Sequence, residues 1–338
     1  MKNRVLPIFL TMLAVTLILA PTSVDIVAEA EQMVYLGGMP IGIGLAENGL
    51  IVTGMVDVIT DEGAACPARG SEILTGDVLI EFNGIPVSDA ANLANLLQKS
   101  VGVVCLTFNR GETEYKVSLT PVTDSLTGLK KLGLMMKSGI NGVGTMTFIL
   151  PDSKKFGALG HGITDADTGK VFLGDSGSIY KCRINSFKRP EFGRAGELTG
   201  RFLERDHPIG RITLCNYYGV YGIMNEQIDE LQLIPVASRK EVKTGEAYIY
   251  STILGESPKR YTIEIVKATS QKKAQEKSML IRVIDEDLLR ETGGILQGMS
   301  GSPIVQNGKL IGAVTHVLVN ESTLGYGLYI DWMLENVA

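Results

Sequence analysis

The sequence predicts a mainly β protein with two folded domains behind an N-terminal hydrophobic segment. Of the 338 residues, 39 are glycine, and they separate short runs of Val, Ile and Thr, as turns separate strands. With 45% hydrophobic residues, a chain of this length can bury two cores. Helical periodicity is confined to short stretches near residues 89–98, 226–233, 286–290 and 331–336.

The N-terminal segment has the pattern of an export signal. Lys2 and Arg4 precede an apolar run over residues 5–20, and Ala28-Glu29-Ala30 offers a small-x-small cleavage site. The run is longer than most signal-peptide cores and shorter than the roughly 20 residues of a spanning helix. We therefore expect residues 1–30 to direct export and contact the membrane, either as a cleaved signal or as an anchor.

Charge and cysteine content exclude several functions. The formal net charge is −5, and no run of adjacent Lys and Arg residues is longer than a pair such as Lys130-Lys131, so a nucleic-acid partner is not expected. The cysteines form no C-x-x-C pair, so we expect neither a metal site nor a redox dithiol, and no organic cofactor. Whether the thiols are free or paired in disulfides remains open for Cys66, Cys105, Cys182 and Cys215.

Residues 31–122 form the first predicted domain, with short strands around one helix. A glycine-rich loop enters a strand, and the block Gly76–Gly84 ends in an Asn-Gly turn. Ser88 or Asp89 can cap the following helix, which two further strands follow. This order resembles a circularly permuted PDZ domain of the bacterial protease type. The resemblance implies that a peptide adds as a strand between that helix and Ile41, Gly42, Ile43, Gly44 and Leu45; a small β domain without a ligand is the alternative.

Residues 123–338 form the second predicted domain, a barrel or sandwich of short strands with glycine turns. Its most informative stretch is Gly298-Met299-Ser300-Gly301-Ser302-Pro303, which precedes a strand–turn–strand pattern. Flanking glycines permit a sharp turn and let a substrate approach the hydroxyl. We predict Ser300 as a nucleophile, with the amides of Gly298 and Ser300 as the oxyanion hole. Because the same string also occurs in ordinary turns, the assignment of Ser300 as a nucleophile requires a histidine base elsewhere in the chain.

Three histidines are available as that base. His161 lies between two glycines after a predicted strand, a position that favours a general base over a core residue. His207 is interpreted as a loop residue held by Asp206, and His316 as a structural histidine in a strand. A second serine, Ser176, also lies between an acid and a glycine, in the string Gly-Asp-Ser-Gly. It is the weaker candidate nucleophile, because it follows His161 by only fifteen residues and is not followed by a proline and an apolar hairpin as Ser300 is.

A carboxylate is expected to orient the imidazole of the base. Asp285 follows the apolar strand 279–284, where a strand end presents a side chain. The residues alone do not choose among the candidates, which are Asp165, Asp167, Asp175, Asp206, Asp229, Asp285 and Asp287.

Two long motifs carry a resemblance to a known family. Gly157–Ile163 surrounds the histidine, and Gly293–Ile304 surrounds the serine. Together with the C-terminal stretch from Gly312 to Met333, they make the chain similar to the SpoIVB family of sporulation serine peptidases. The resemblance covers nearly the whole chain. It implies a chymotrypsin-like β-barrel domain after the PDZ domain, endopeptidase activity, and a triad of His161, Asp285 and Ser300.

The resemblance also implies a biological role. Such a peptidase is exported from the forespore into the space between two membranes, cleaves itself, and cleaves a regulator of a membrane-embedded protease that activates a sigma factor. Its partners would be protein or peptide substrates and a PDZ ligand, which could be a segment of the enzyme itself. The alternative from another class is a non-catalytic PDZ scaffold with a degenerate peptidase fold.

Overall fold

Antiparallel strands make up most of the structure, a computed structural model that describes residues 31–226 and 231–338. The predicted mainly β class is confirmed. The predicted hydrophobic segment, residues 1–30, lies outside the described residues, as do residues 227–230 of the helix predicted near 226–233. In the described ranges, no helix is long and apolar enough to cross a membrane.

The first half of the chain contains β1 (Met33–Leu36), β2 (Pro40–Met55), β3 (Val58–Thr60), β4 (Gly63–Ala65), β5 (Val78–Phe82), β6 (Ile85–Pro86), α1 (Ala90–Lys99), β7 (Val104–Arg110), β8 (Thr113–Leu119), β9 (Val122–Thr123), β10 (Lys130–Lys131), β11 (Leu134–Ile149) and β12 (Lys155–Ala158). The second half contains β13 (Gly177–Lys188), β14 (Glu197–Phe202), β15 (Gly210–Asn216), β16 (Gly219–Met224), β17 (Leu233–Pro235), β18 (Gly245–Ser251), β19 (Lys259–Ala268), β20 (Met279–Val283), α2 (Glu286–Thr292), β21 (Pro303–Gln306), β22 (Lys309–Leu318), β23 (Glu321–Tyr329) and α3 (Ile330–Leu334).

Two antiparallel barrels position the candidate site. In the first, the strands pair in the order β2, β11, β12, β16, β15 and β13, and β13 returns to β2. In the second, β18, β19, β20, β23, β22 and β21 form a closed ring. Closure removes the free strand edges that would otherwise pair with other chains. Apolar side chains fill both interiors, among them Ile41, Met146, Phe156 and Ile179 in the first barrel and Ile249, Ile263, Ile281 and Val314 in the second.

A smaller sheet corresponds to the predicted PDZ domain. The second half of β2 pairs with β5, β5 with β7, and β7 with β8, while α1 covers an apolar core with Leu93 and Leu97. The predicted helix cap is present, since the Asp89 side chain accepts a hydrogen bond from the Asn92 amide at 2.8 Å. The element order in residues 50–119 is that of the prediction.

The boundary between the domains differs from the prediction. Strand β2 is shared, because Pro40–Ala46 pairs within the first barrel whereas Leu50 and Ile51 pair with β5. The small domain is therefore inserted between two barrel strands, β2 and β11, and does not simply precede the barrel. An alternating pattern identifies a strand but not the sheet that it joins, so the sequence did not show this.

The predicted peptide-binding strand is wrong. Residues Ile41–Leu45 pair with β11 along one edge and with β13 along the other, so no edge remains for a peptide to join. The glycines serve packing instead of ligand binding: a Cβ atom on Gly42 would lie 2.6 Å from the ring of Phe202. A glycine-rich entry to a strand indicates close packing as readily as a carboxylate-binding loop.

A segment of the chain itself lies along the small sheet. Leu134–Met136 pairs with Val52–Met55. Just before it, Gln98 of α1 holds the backbone of Lys130, donating to its carbonyl at 3.1 Å and accepting from its amide at 2.9 Å. The same strand, β11, then continues into the first barrel. One continuous strand therefore joins the small sheet to the barrel.

All four cysteines are free thiols. Cys182 and Cys215 are buried, and burial raises the pKa of each thiol to about 11. Neither thiol is therefore a reactive thiolate at neutral pH.

Candidate active site

The loop that carries Ser300 is a tight turn between α2 and β21. Gly298 and Gly301 have φ angles of 97° and 95°, in the left-handed region that disfavours side chains. The turn is closed by hydrogen bonds from the Gly301 amide to the Val314 carbonyl at 2.7 Å and from the Ser302 amide to the Met299 carbonyl at 3.0 Å. Met299 is fully buried beneath it. The two glycines that sequence analysis emphasised are therefore required by the backbone.

The first barrel holds this loop through β11. The Thr145 amide donates to the Ser300 carbonyl at 3.0 Å, and the Thr145 hydroxyl donates to the Gly298 carbonyl at 3.0 Å. Thr147 adds a hydroxyl bond to the Gly301 carbonyl at 2.8 Å. Sequence analysis missed both threonines, and no local pattern marks them, because their partners lie about 150 residues away in the chain.

The predicted oxyanion amides are available for a ligand. Among the described residues, neither the Gly298 amide nor the Ser300 amide donates to another protein group. The Gln297 carbonyl shares a peptide plane with the Gly298 amide and accepts from the Leu198 amide at 2.8 Å, and the Met299 carbonyl shares a plane with the Ser300 amide and accepts from the Ser302 amide at 3.0 Å. Both peptide planes are therefore fixed. Fixed, unpaired N–H groups beside a nucleophile are the arrangement that stabilises an oxyanion.

His161 lies just beyond β12, at the end of the first barrel. Its Nδ1 atom is 2.7 Å from the carbonyl oxygen of Gly162. Because a carbonyl only accepts, Nδ1 carries the hydrogen and Nε2 keeps its lone pair. Burial lowers the pKa of His161, opposed by the Gly162 hydrogen bond and by the charge of Glu276. The imidazole is therefore neutral near pH 7 and can accept a proton.

His316 is not the satisfied structural histidine that its strand pattern indicated. Its ring centroid lies 4.9 Å from that of His161, at an interplanar angle of 39°, and its buried Nδ1 has no hydrogen-bond partner among the described residues. Burial, together with repulsion from His161 and Lys277, lowers the pKa of His316 to about 4. A second neutral imidazole therefore stands beside the candidate base.

The two barrels bring the predicted base and nucleophile into one cavity of about 510 Å³. His161 and His316 line it together with Ser300 and Gly298. The Ser300 hydroxyl donates to the Thr315 carbonyl at 2.7 Å. In this resting geometry the hydroxyl is bonded to a backbone carbonyl, so it must rotate about its Cα–Cβ bond to reach an imidazole.

Asp285 is not brought into this cavity. It is the N-cap of α2: one carboxylate oxygen accepts from the Leu288 amide at 3.0 Å and the other accepts from the Thr262 amide at 3.0 Å. Both carboxylate oxygens of Asp285 thus accept from the backbone around α2, and its role as the orienting acid stays a prediction. An aspartate between a strand and a helix is a strong N-cap signal, and that signal looks the same whether or not the residue is catalytic.

The other described candidates do not line this cavity, and Asp229 lies outside the described residues. Asp165 and Asp167 form ion pairs with Lys137. His207 is exposed in a turn, and Ser176 is exposed at the entry to β13. Of the candidate residues that the structure describes, His161, His316 and Ser300 line one cavity.

The sequence profile of the SpoIVB peptidase S55 family matches residues 128–334, more than half of the chain. The chain belongs to the SpoIVB peptidase S55 family. It is thus a serine peptidase, and its substrates are proteins or peptides. The family match includes both barrels' contributions to the cavity, since it spans the His161 turn and the Ser300 loop. Strand β2 lies outside the matched range.

Two solved structures show distant similarity. The PDZ domain of an SdrC-like protein from Listeria monocytogenes is 18% identical, covers 27% of this chain and 90% of its own, and gives a TM-score of 0.22. The inactive form of the Rv3671c protease from M. tuberculosis is 15% identical, covers 58% of this chain and 84% of its own, and gives a TM-score of 0.32. Similarity this distant adds nothing to the geometry above. No curated protein matches the chain.

Proposed function

We propose that this member of the SpoIVB peptidase family is an endopeptidase in which Ser300 is the nucleophile and His161 the general base. The observation that carries the proposal is that both side chains line one cavity between two barrels, beside two unpaired amides. Such a constellation identifies acyl-transfer chemistry by geometry and roles, independently of residue order in the chain.

The chemistry follows from the hydrogen bonds. When the Ser300 hydroxyl leaves the Thr315 carbonyl, its proton passes to Nε2 of His161 as the oxygen attacks the peptide carbonyl. The resulting oxyanion accepts from the amides of Gly298 and Ser300. The imidazolium then protonates the leaving amine, and the C–N bond breaks to give an acyl-enzyme. Water, deprotonated by His161, releases the acid product and restores Ser300.

The orienting role belongs to a backbone carbonyl in this proposal. The Gly162 oxygen fixes the tautomer and the ring of His161, as a carboxylate does in other serine peptidases. A neutral acceptor stabilises the imidazolium less than a carboxylate does. Glu276 contributes favourable charge at longer range.

Labelling by a serine-directed peptidyl phosphonate tests the proposal. Wild-type protein is expected to gain the label at Ser300, and Ser300→Ala to remain unlabelled. Ser176→Ala is the matched control, since that serine is exposed and outside the cavity, and it is expected to label like the wild type. Equal labelling of the wild type and Ser300→Ala would favour the non-catalytic scaffold instead.

The pH dependence of kcat/KM reports the environment of His161. The base works only when neutral, so activity is present above its pKa and is lost as the pH falls through it. Because burial lowers this pKa, we expect the acidic limb to have its midpoint below about 6.5, the usual histidine value. A midpoint at or above that value would show a carboxylate paired with the imidazole, against the proposed Gly162 carbonyl.

Asp285 variants separate a helix cap from a catalytic acid. Asp285→Ala is expected to lower the free energy of unfolding by about 1 kcal/mol, because two backbone amides lose their acceptor, and to leave kcat nearly unchanged. A triad acid would instead lower kcat by about 10⁴-fold. Urea unfolding and peptide hydrolysis measure the two effects. Asp287→Ala, on the same helix and exposed, is the control, and a large loss of kcat in Asp285→Ala alone would restore the triad assignment.

We further propose the cellular role that the family's name suggests. The chain would be exported through residues 1–30 across the forespore membrane, cleave itself, and cleave a regulator of a membrane-embedded protease in sigma-factor activation. Segment 130–137 would act as the internal ligand of the PDZ domain. Mass spectrometry of the mature N-terminus, in the wild type and in Ser300→Ala, tests export and self-cleavage: identical termini would exclude self-cleavage there.

A further inference from the structure

We propose that the cavity selects an uncharged aliphatic side chain at P1, the residue that supplies the carbonyl attacked by Ser300. This inference rests on the proposed function and adds a substrate class to it. The chemistry of the cavity wall is the starting point. Among the described residues, the cavity has no ionisable lining residue apart from its two histidines, and its apolar walls include Val143, Ile163, Ile295, Leu296 and Val317.

The position of the oxyanion amides places the P1 side chain inside this cavity. A carbonyl oxygen bound by Gly298 and Ser300 fixes the carbonyl carbon beside the Ser300 hydroxyl. The P1 Cβ atom is two covalent bonds away, about 2.5 Å, so the side chain begins at the walls of this cavity. The nearest walls in sequence to these amides are Leu296 and Gln297, and Val317 lies two residues beyond the carbonyl that Ser300 contacts.

A charged P1 side chain would meet no partner there. Burying an ammonium or a carboxylate without an opposite charge is strongly unfavourable. The histidines do not supply one: His161 is neutral, and burial keeps His316 neutral as well, with a pKa of about 4. Lys277 and Glu276 are close enough to affect the histidines but are not among the residues that line the cavity.

Ile295 limits the size of the side chain. It is 2% exposed, and its Cδ1 atom would lie 2.5 Å from a Cβ atom on Gly325. The isoleucine therefore fills the space that the glycine leaves open on β23. Leu296 beside it is 1% exposed and equally fixed. This packing favours branched aliphatic side chains of moderate size over large aromatic ones.

Hydrolysis of matched peptides by the full-length chain tests the proposal. The peptides share one extended sequence and carry Val, Leu, Phe, Lys or Asp at P1. We expect kcat/KM for Val and Leu to exceed that for Lys and Asp by about 100-fold or more, and Phe to fall between them. Peptidyl phosphonates with Val or Lys at P1 provide the same comparison as rates of Ser300 labelling. Rates for Lys or Asp within about 10-fold of Leu would overturn the proposal.

Two variants assign the preference to named walls. Val317→Asp is expected to raise the Lys-to-Leu ratio at least about 10-fold, since it supplies the missing partner charge. Val101→Asp, at a position 91% exposed and not among the residues that line the cavity, is the matched control and should leave the ratio unchanged. Ile295→Ala should raise the Phe-to-Leu ratio. An unchanged Lys-to-Leu ratio in Val317→Asp would contradict the assignment of Val317 to the P1 wall. This test holds even if Ile295→Ala is too unstable to measure.

The results also separate this inference from the proposed function. If no peptide is cut and no phosphonate labels Ser300, the nucleophile assignment fails. If Ser300 is labelled but prefers a charged P1 residue, only the specificity inference fails.

Discussion

Replacing His161 by alanine is expected to lower kcat for peptide hydrolysis by about 10⁶-fold, the scale seen when a serine peptidase loses its base. Among the described residues that line the cavity, His316 is the one other ionisable side chain. It is a poor proton acceptor, because burial, which the variant does not remove, lowers the pKa of His316. Steady-state hydrolysis of a fluorogenic peptide, with active sites counted by phosphonate titration in the wild type, measures the loss.

A matched histidine variant controls this result. His207 is exposed in a turn, where its backbone amide donates to the Glu204 carbonyl at 2.8 Å. The His207→Ala variant should hydrolyse the peptide at the wild-type rate. Folding of His161→Ala is checked by urea unfolding. A folded His161→Ala variant that retains more than about 1% of kcat would show that another group takes the serine proton.

Replacing Gly301 by alanine is expected to disrupt the serine loop. The added Cβ atom would lie 2.0 Å from the Thr145 carbonyl oxygen and 2.6 Å from the Leu159 amide nitrogen. Backbone atoms of two strands cannot move aside without disturbing the barrel, so we expect a loss of about 3 kcal/mol in the free energy of unfolding. Displacement of the oxyanion amides should lower kcat by about 100-fold or more.

Gly308 provides the control that isolates this clash. It has a φ angle of 77°, also in the left-handed region, but a Cβ atom there would meet nothing within 4 Å. Gly308→Ala therefore bears only the conformational cost of about 1 kcal/mol and should keep full kcat. If the two variants lose equal stability, backbone strain rather than contact between the barrels explains the effect at Gly301.

Tight turns and helix caps could be predicted from the sequence, because each depends on only a few neighbouring residues. Glycines around Ser300 and His161 predicted tight turns, and both turns carry positive-φ glycines, Gly160 and Gly301. Asp89 before an apolar helical pattern predicted a cap that the structure contains. At Asp285 the same signal did not distinguish a helix cap from a catalytic acid, because both need a carboxylate at a similar chain position.

The mainly β class, the family, and the two residues that the barrels bring into one cavity could be predicted from residue pattern and motifs. Three features became visible only in the folded chain: β2 belongs to the barrel as well as to the small sheet, Thr145 holds the serine loop, and the ring of His316 lies beside that of His161. The physical reason is that strand pairing and cavity walls depend on contacts between residues far apart in the chain. Period and composition describe each strand alone, whereas register, pairing partner and the hydrogen bonds of a loop are set by the neighbours that folding supplies.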